Sequence, residues 1–338
     1  MLLKIIKYIF LVSFIILLSI ILFPKKYEVP QFQSRIGTKY WELSTGSRIG
    51  YSFINARGIK KTYPIIFLQG GPGAPIFDSN IEILSKLADS GYDIYLYDLV
   101  GCGHSNRLDN IEEYTVERHK KDLEEIIIKI GSERIILIAQ SWGAILASNY
   151  LADNQTKIEK IVFTGAGPIL PIDYNLKDIK APDSLDLKTP LVTNAQGKQK
   201  INSIRAMVTE FLAEKFGFKF ASENEMDDFA ICLNFEMNKS TVIDTSLISI
   251  KSGFGYYVNI KTVQSFDNVR DRRNDLLKCK IPVLMMRGQF DGVNWGYTDE
   301  YLKLFKNHQL VIIPDAGHSI SAEQPGLYIN TINEFLNK

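Results

Sequence analysis

Ser141, Asp291 and His318 are the three side chains of this 338-residue sequence whose types and placement could run a nucleophilic relay. A serine hydroxyl attacks a carbonyl well only when a neighbouring base takes its proton. A histidine orientated by a carboxylate is the usual base. The chain has four histidines, so the base is found largely by elimination. His119 lies in the charged stretch ERHKKDLEE and reads as solvated, as does His308 in a polar turn. His104 sits in a strand-end loop near the mouth of the site, with no following strand-end acid to orientate it. His318 remains, in Asp315-Ala316-Gly317-His318-Ser319. For the acid, Asp291 in Gly288-Gln289-Phe290-Asp291-Gly292 is favoured; Asp315 shares a loop with His318, and Asp98, Asp109 and Asp267 rank lower.

The serine lies in RIILIAQSWGAILASNYL, residues 134–151, an apolar run, an abrupt turn and a helical pattern. A sharp strand-to-helix turn holds a nucleophile clear of its surroundings and needs small neighbours. Ala139 and Gly143, two residues either side of Ser141, supply them, although G-x-S-x-G here becomes A-x-S-x-G. An attacked carbonyl also needs amide donors for its oxyanion. The amide of Trp142 is one candidate, and Gly71, in Gln69-Gly70-Gly71-Pro72-Gly73, is the other. That glycine run lacks the G-K-[ST] ending of a nucleotide loop. Gly101-Cys102-Gly103 reads as a turn, so no cofactor is expected.

The elements that must hold these residues follow an α/β rhythm. Residues 39–55 read as a hairpin around Thr45-Gly46-Ser47. Short β-branched runs at 63–68, 92–98, 135–139, 160–164, 281–287 and 309–313 read as buried strands, alternating with helices near 81–91, 115–130, 298–305 and 323–337. Such runs imply a mostly parallel, doubly wound sheet, in which ligands bind beyond the carboxyl ends of the strands. The candidate residues all follow strands. From about 168 to 279 the pattern changes to loops and helices, 201–216 and 223–237, the latter with Ser222 and Glu225 in capping-box spacing. The recurring aromatics there, including Phe211, Phe216, Phe218, Phe229 and Phe235, read mostly as core of the insertion. The expected organisation is thus a core over 38–167 and 280–338 with a helical cap at 168–279.

A formal net charge of +1 leaves no basic footprint for nucleic acid, and three scattered cysteines suggest neither a disulfide framework nor a metal site. Lys4 and Lys7 precede an apolar run that stops at Pro24-Lys25-Lys26. Its length suits a spanning helix, and it lacks the small-x-small exit of a cleaved signal. Residues 1–26 are therefore expected to be an uncleaved membrane anchor with the remainder outside the cytoplasm, and 27–37 a tether.

GGPG at 70–73, DLVGCGHS at 98–105, QSWG at 140–143, GQFDGV at 288–293 and GHS at 317–319 together resemble the α/β-hydrolase superfamily, from about residue 39 onward. The GGPG and QSWG pair is most similar to the proline iminopeptidase branch, whose members release an N-terminal residue from peptides. That resemblance implies a serine peptidase of small peptides, with a cap that shapes the pocket and cap carboxylates that bind the substrate amine. Glu236, in NFEMN, matches one of these; near SGFGYYVN no second acid appears. Gln69 stands where the family usually has histidine. A carboxylesterase or lipase-like hydrolase, or a binding module on the same fold, is the alternative.

Overall fold

The computed structural model describes residues 2–201 and 203–338. Its first element, α1 (Leu2–Leu22), is long and apolar enough to cross a membrane. The hairpin follows as β1 (Lys39–Glu42) and β2 (Arg48–Ile54). Alternation then gives β3 (Ile65–Leu68), α2 (Asp78–Ala88), β4 (Ile94–Tyr97), α3 (Val116–Ile130), β5 (Ile135–Gln140), α4 (Trp142–Asn154) and β6 (Ile158–Thr164). Between β6 and the next strand the regular elements are helical: α5 (Asn194–Ile201), α6 (Ile204–Phe216), α7 (Glu223–Asn238), α8 (Tyr256–Gln264) and α9 (Arg273–Leu276). The chain closes with β7 (Val283–Gly288), α10 (Trp295–Leu304), β8 (His308–Ile313), α11 (Ile320–Glu323) and α12 (Pro325–Leu336). The expected final helix is broken because Pro325 cannot continue α11 and instead opens α12.

Among the described residues the strands form one sheet in the order β1-β2-β4-β3-β5-β6-β7-β8, antiparallel at β1–β2 and β2–β4 and parallel elsewhere. Side chains alternate between its faces. Ile66, Leu68, Ile135, Leu137 and Ala139 join the layer that holds Leu123 and Ile126 of α3 and Leu146 of α4. Ile65, Phe67, Ile136 and Ile138 meet Leu84 and Leu87 of α2 and Ile332 of α12. Central strands buried on both faces must be apolar at every position, which is why they read as unbroken runs. Caps fix the helix ends: the Thr115 side chain accepts from the Arg118 amide, and Gly131, left-handed at φ 72°, closes α3.

Two expectations are corrected here. Residues 27–37 are not a free tether but lie along the body: Tyr27 meets Phe229 with ring centroids 5.7 Å apart, and Phe32 meets His104 at 4.9 Å. Arg35 donates to Ser52 Oγ, the Ile76 carbonyl and Asp78. Ser222 does cap α7 by accepting from the Glu225 amide, but Glu225 does not return the bond; its carboxylate is held by Arg205.

Candidate active site

β5 delivers Ser141 to its carboxyl end and α4 begins at the next residue. Ser141 has φ 51° and ψ −112°, a strained conformation for a residue with a side chain. Its neighbours hold it there: the Ser141 amide donates to the Thr164 carbonyl, and its own carbonyl accepts from Ala144 and Gly167. Gly143 is required by close packing, since a Cβ at that position would lie 2.2 Å from the Leu68 carbonyl oxygen. Ala139 is fully buried between Leu68 and Phe163, where a methyl group fits. The departure from the usual elbow is therefore accommodated.

β7 and β8 deliver the other two groups. His318 Nδ1 lies 3.0 Å from Asp291 Oδ1. Because an ionised carboxylate only accepts, Nδ1 carries the proton and Nε2 is left as the basic nitrogen. Asp291 Oδ1 also accepts from the Val293 amide. Burial opposes ionisation of Asp291, but the charge and hydrogen bond of His318, with Arg287 and the Val293 amide, outweigh it and hold the carboxyl below its usual range. Burial likewise disfavours a charged His318. Asp291 outweighs that too, and the imidazole titrates above the ordinary histidine value.

Ser141, His318 and Asp291 all line one cavity of about 970 Å³. Gly70, Gly71 and Trp142 line it as well, so both proposed amide donors border the space above the serine. The Trp142 amide opens α4, where backbone N–H groups have no intrahelical partner. Gln69 braces the glycine loop: Nε2 donates to the Pro75 carbonyl and Asn80 Oδ1, each at 3.1 Å, while Oε1 accepts from the Gly70 amide. The helical insertion contributes Asn234, Phe235 and Asn238 of α7 to the same lining.

Glu236 is not brought to this cavity. Its carboxylate lies 2.7 Å from Lys239 Nζ and 3.0 Å from Lys200 Nζ, and its neighbours Phe235 and Met237 face the cavity instead. Among the described lining residues, Asp291 is the sole carboxylate and Lys251 the sole lysine or arginine.

The two other interior histidines need correction. His119 is fully buried, with Nε2 2.9 Å from Thr262 Oγ1 and its ring against Trp142. Burial lowers its pKa to about 3, so it is neutral. His104 does have a partner acid: Nδ1 donates to Asp98 Oδ2 at 2.9 Å, and Nε2 accepts from the Arg35 amide at 2.9 Å. That acid precedes it from the end of β4 rather than following from another strand.

Two contributors were not anticipated. At Gly165, directly after β6, a Cβ would lie 2.9 Å from His318 Cε1 and Nδ1, so glycine there admits the imidazole. The sequence signal was the Gly-Ala-Gly run beyond a buried strand. Arg287, buried near the end of β7, donates to the Asp291 and Val293 carbonyls and to Thr298 Oγ1 at 2.9 Å. A charged residue closing the apolar run IPVLMMR was its signal.

An elbow serine on a mostly parallel sheet, with a histidine–aspartate pair delivered by later strands, defines the hydrolase class to which the chain's sequence also belongs. Residues 63–325 match the model of the alpha/beta hydrolase fold, and the chain is a member of that family. It is 22% identical to a proline iminopeptidase of Saccharolobus solfataricus over 302 residues, covering 87% of this chain and 90% of that protein. It is 22% identical to one of Heyndrickxia coagulans, covering 87% and 96%. Among solved structures, an esterase from Exiguobacterium antarcticum superposes with a TM-score of 0.60 at 17% identity, covering 88% of this chain and 99% of that one. The chain is accordingly a hydrolase.

Proposed function

We propose that the protein is a serine hydrolase that cleaves an ester or amide through an acyl-enzyme on Ser141. The observation that carries this reading is the convergence of the elbow serine and the His318–Asp291 pair on one cavity. In this mechanism His318 Nε2 takes the Ser141 proton as Oγ attacks the substrate carbonyl. The Trp142 and Gly71 amides donate to the developing oxyanion, each worth roughly 3–4 kcal/mol. Asp291 holds the imidazole in the reactive tautomer and stabilises its charged form. The proton passes to the leaving group, and a water activated by the same histidine releases the acyl product.

The acyl side of the site favours a neutral group over a free ammonium. An ammonium in a partly buried pocket needs charged partners. Here the insertion offers the amides of Asn234 and Asn238, while Glu236 is engaged by two lysines. A short acyl ester or amide is the substrate class that fits. A second reading, release of an N-terminal proline from peptides, is favoured by the two full-length iminopeptidase relatives. In both readings α1 is a single-pass anchor that places the catalytic domain outside the cytoplasm, and the insertion is a cap on the site.

Covalent labelling by a fluorophosphonate tests the chemistry. The wild-type chain should be labelled and Ser141→Ala should not; equal labelling of both would remove Ser141 from its role. Turnover of short acyl esters beside proline arylamides then separates the two substrate readings. Faster turnover of the arylamide would overturn the first.

A further inference from the structure

Helix α6 is turned inside out for a helix on a water-exposed shell. Its buried side carries the small residues Ala206, Thr209 and Ala213. Its outward row carries Ile204, Met207 and Phe211, at i, i+3 and i+7, and these are 45%, 57% and 54% exposed. Phe216 and Phe218 prolong the apolar surface beyond its end at 70% and 56%. The sequence pattern had placed such aromatics mostly in the core of the insertion. Single exposed apolar residues are common, but a contiguous row on one helix marks an interaction surface.

A second observation says what covers it. Helix α1 ends beside α6, where Arg205 donates through Nη1 to the Ile21 carbonyl. The same guanidinium forms a buried, two-point pair with Glu225, Nε–Oε1 2.5 Å and Nη2–Oε2 2.8 Å. Glu225 Oε1 in turn accepts the Lys25 amide at 2.9 Å. One ion pair thus grips the backbone on both sides of the point where the apolar helix stops, and fixes that point to the start of α6. A spanning segment Lys4–Leu22 is about 28 Å long at about 1.5 Å per residue, close to the thickness of the hydrocarbon layer. Its end lies at the membrane surface, and α6 must lie there with it.

We infer that α6 is a second membrane contact, lying in the plane of the bilayer with Ile204, Met207 and Phe211 in the boundary between headgroups and acyl chains. The seat is roughly 5–10 Å deep, as amphipathic helices adopt. Lys215, exposed at the far end of the same row, extends its ammonium back to the headgroups. The helical insertion, rather than the sheet, then faces the bilayer. This inference rests on α1 being a membrane anchor, and its test separates the two.

The full chain, in a Cys232→Ser background, is reconstituted into phosphatidylcholine–phosphatidylglycerol vesicles with an environment-sensitive fluorophore at one cysteine: Met207→Cys, Phe211→Cys, Phe14→Cys in α1, or Ile128→Cys on the outer face of α3. Spin-labelled lipid should quench positions 14, 207 and 211 several-fold more than iodide does, with the reverse at 128. Lipid quenching at 14 with iodide quenching at 207 and 211 would overturn the inference and leave the anchor standing. Loss of lipid quenching at 14 would remove the anchor and the inference together. Protection of 207 and 211 from both quenchers would mean that a second copy of the chain covers the row, which also overturns it.

Discussion

Two histidine–aspartate pairs stand at the carboxyl ends of β4 and β7, and they differ chiefly in what the far nitrogen of each imidazole meets. His104 and His318 both present Nδ1 to an aspartate, at 2.9 Å and 3.0 Å. At His104 the remaining nitrogen is closed by the Arg35 amide, and the ring is 3% exposed. The ring of His318 is 16% exposed and borders the cavity that holds Ser141. Pairing with a carboxylate therefore does not by itself make a catalytic histidine. In the proposed mechanism it is the nitrogen of His318 open to the cavity that takes the proton, whereas the first pair is a structural latch that fastens residues 32–35 to the sheet.

The strongest way to break this comparison is to disable each pair in turn. Asp291→Asn should lower kcat by about 10⁴-fold, because an amide no longer enforces the reactive tautomer. It should also move the pH profile. The proposed mechanism needs neutral His318, so kcat/KM should fall as pH drops through the His318 pKa, which Asp291 holds above the ordinary value of about 6.5. Without that charge the inflection should shift to lower pH. An unmoved inflection in Asp291→Asn would assign the titration to another group.

Gly165→Ala sharpens the same point from the other side of the imidazole. The added methyl would lie 2.9 Å from the ring of His318, so ring or backbone must shift. A displacement of that kind should slow fluorophosphonate labelling of Ser141 by about 10²-fold while the fold persists. The latch should answer differently. His104→Gln removes a bond to buried Asp98, which retains the amides of Ile76 and His104, and should cost about 1–3 kcal/mol in denaturant unfolding. Its labelling rate should stay within a few-fold of wild type.

The contrast also explains what could be read from the chain. The site on the sheet was legible because each group follows a short apolar run, and buried parallel strands leave little choice of register or direction. Ser141, Asp291 and His318 were expected at strand ends on that ground, and the structure brings them to one cavity. His119 was misread because its neighbours in the chain are charged, although Val116, His119, Leu123 and Ile126 mark one inward face of α3. The partner of His104 was missed because its acid lies on the preceding strand end, six residues back. The insertion was less legible still. Several of its helices pack on one another rather than on the sheet, so the same amphipathic spacing is compatible with an aromatic facing the core, the cavity or outward, as Phe229, Phe235 and Phe211 respectively do.

Glu236 carries that difference to its smallest expected effect. Spacing alone put a carboxylate at the end of α7, and likeness to the iminopeptidases gave it a substrate amine to bind. The structure turns it towards Lys200 and Lys239, with Asn234 two residues earlier and Asn238 two residues later bordering the cavity instead. Glu236→Gln should therefore leave kcat/KM on esters and on proline arylamides unchanged, and should cost at most about 1 kcal/mol of stability, as loss of surface ion pairs does. A selective rise in KM for the arylamide, with ester turnover intact, would show that the carboxylate swings into the cavity when an amine enters it, and would return the iminopeptidase reading to first place.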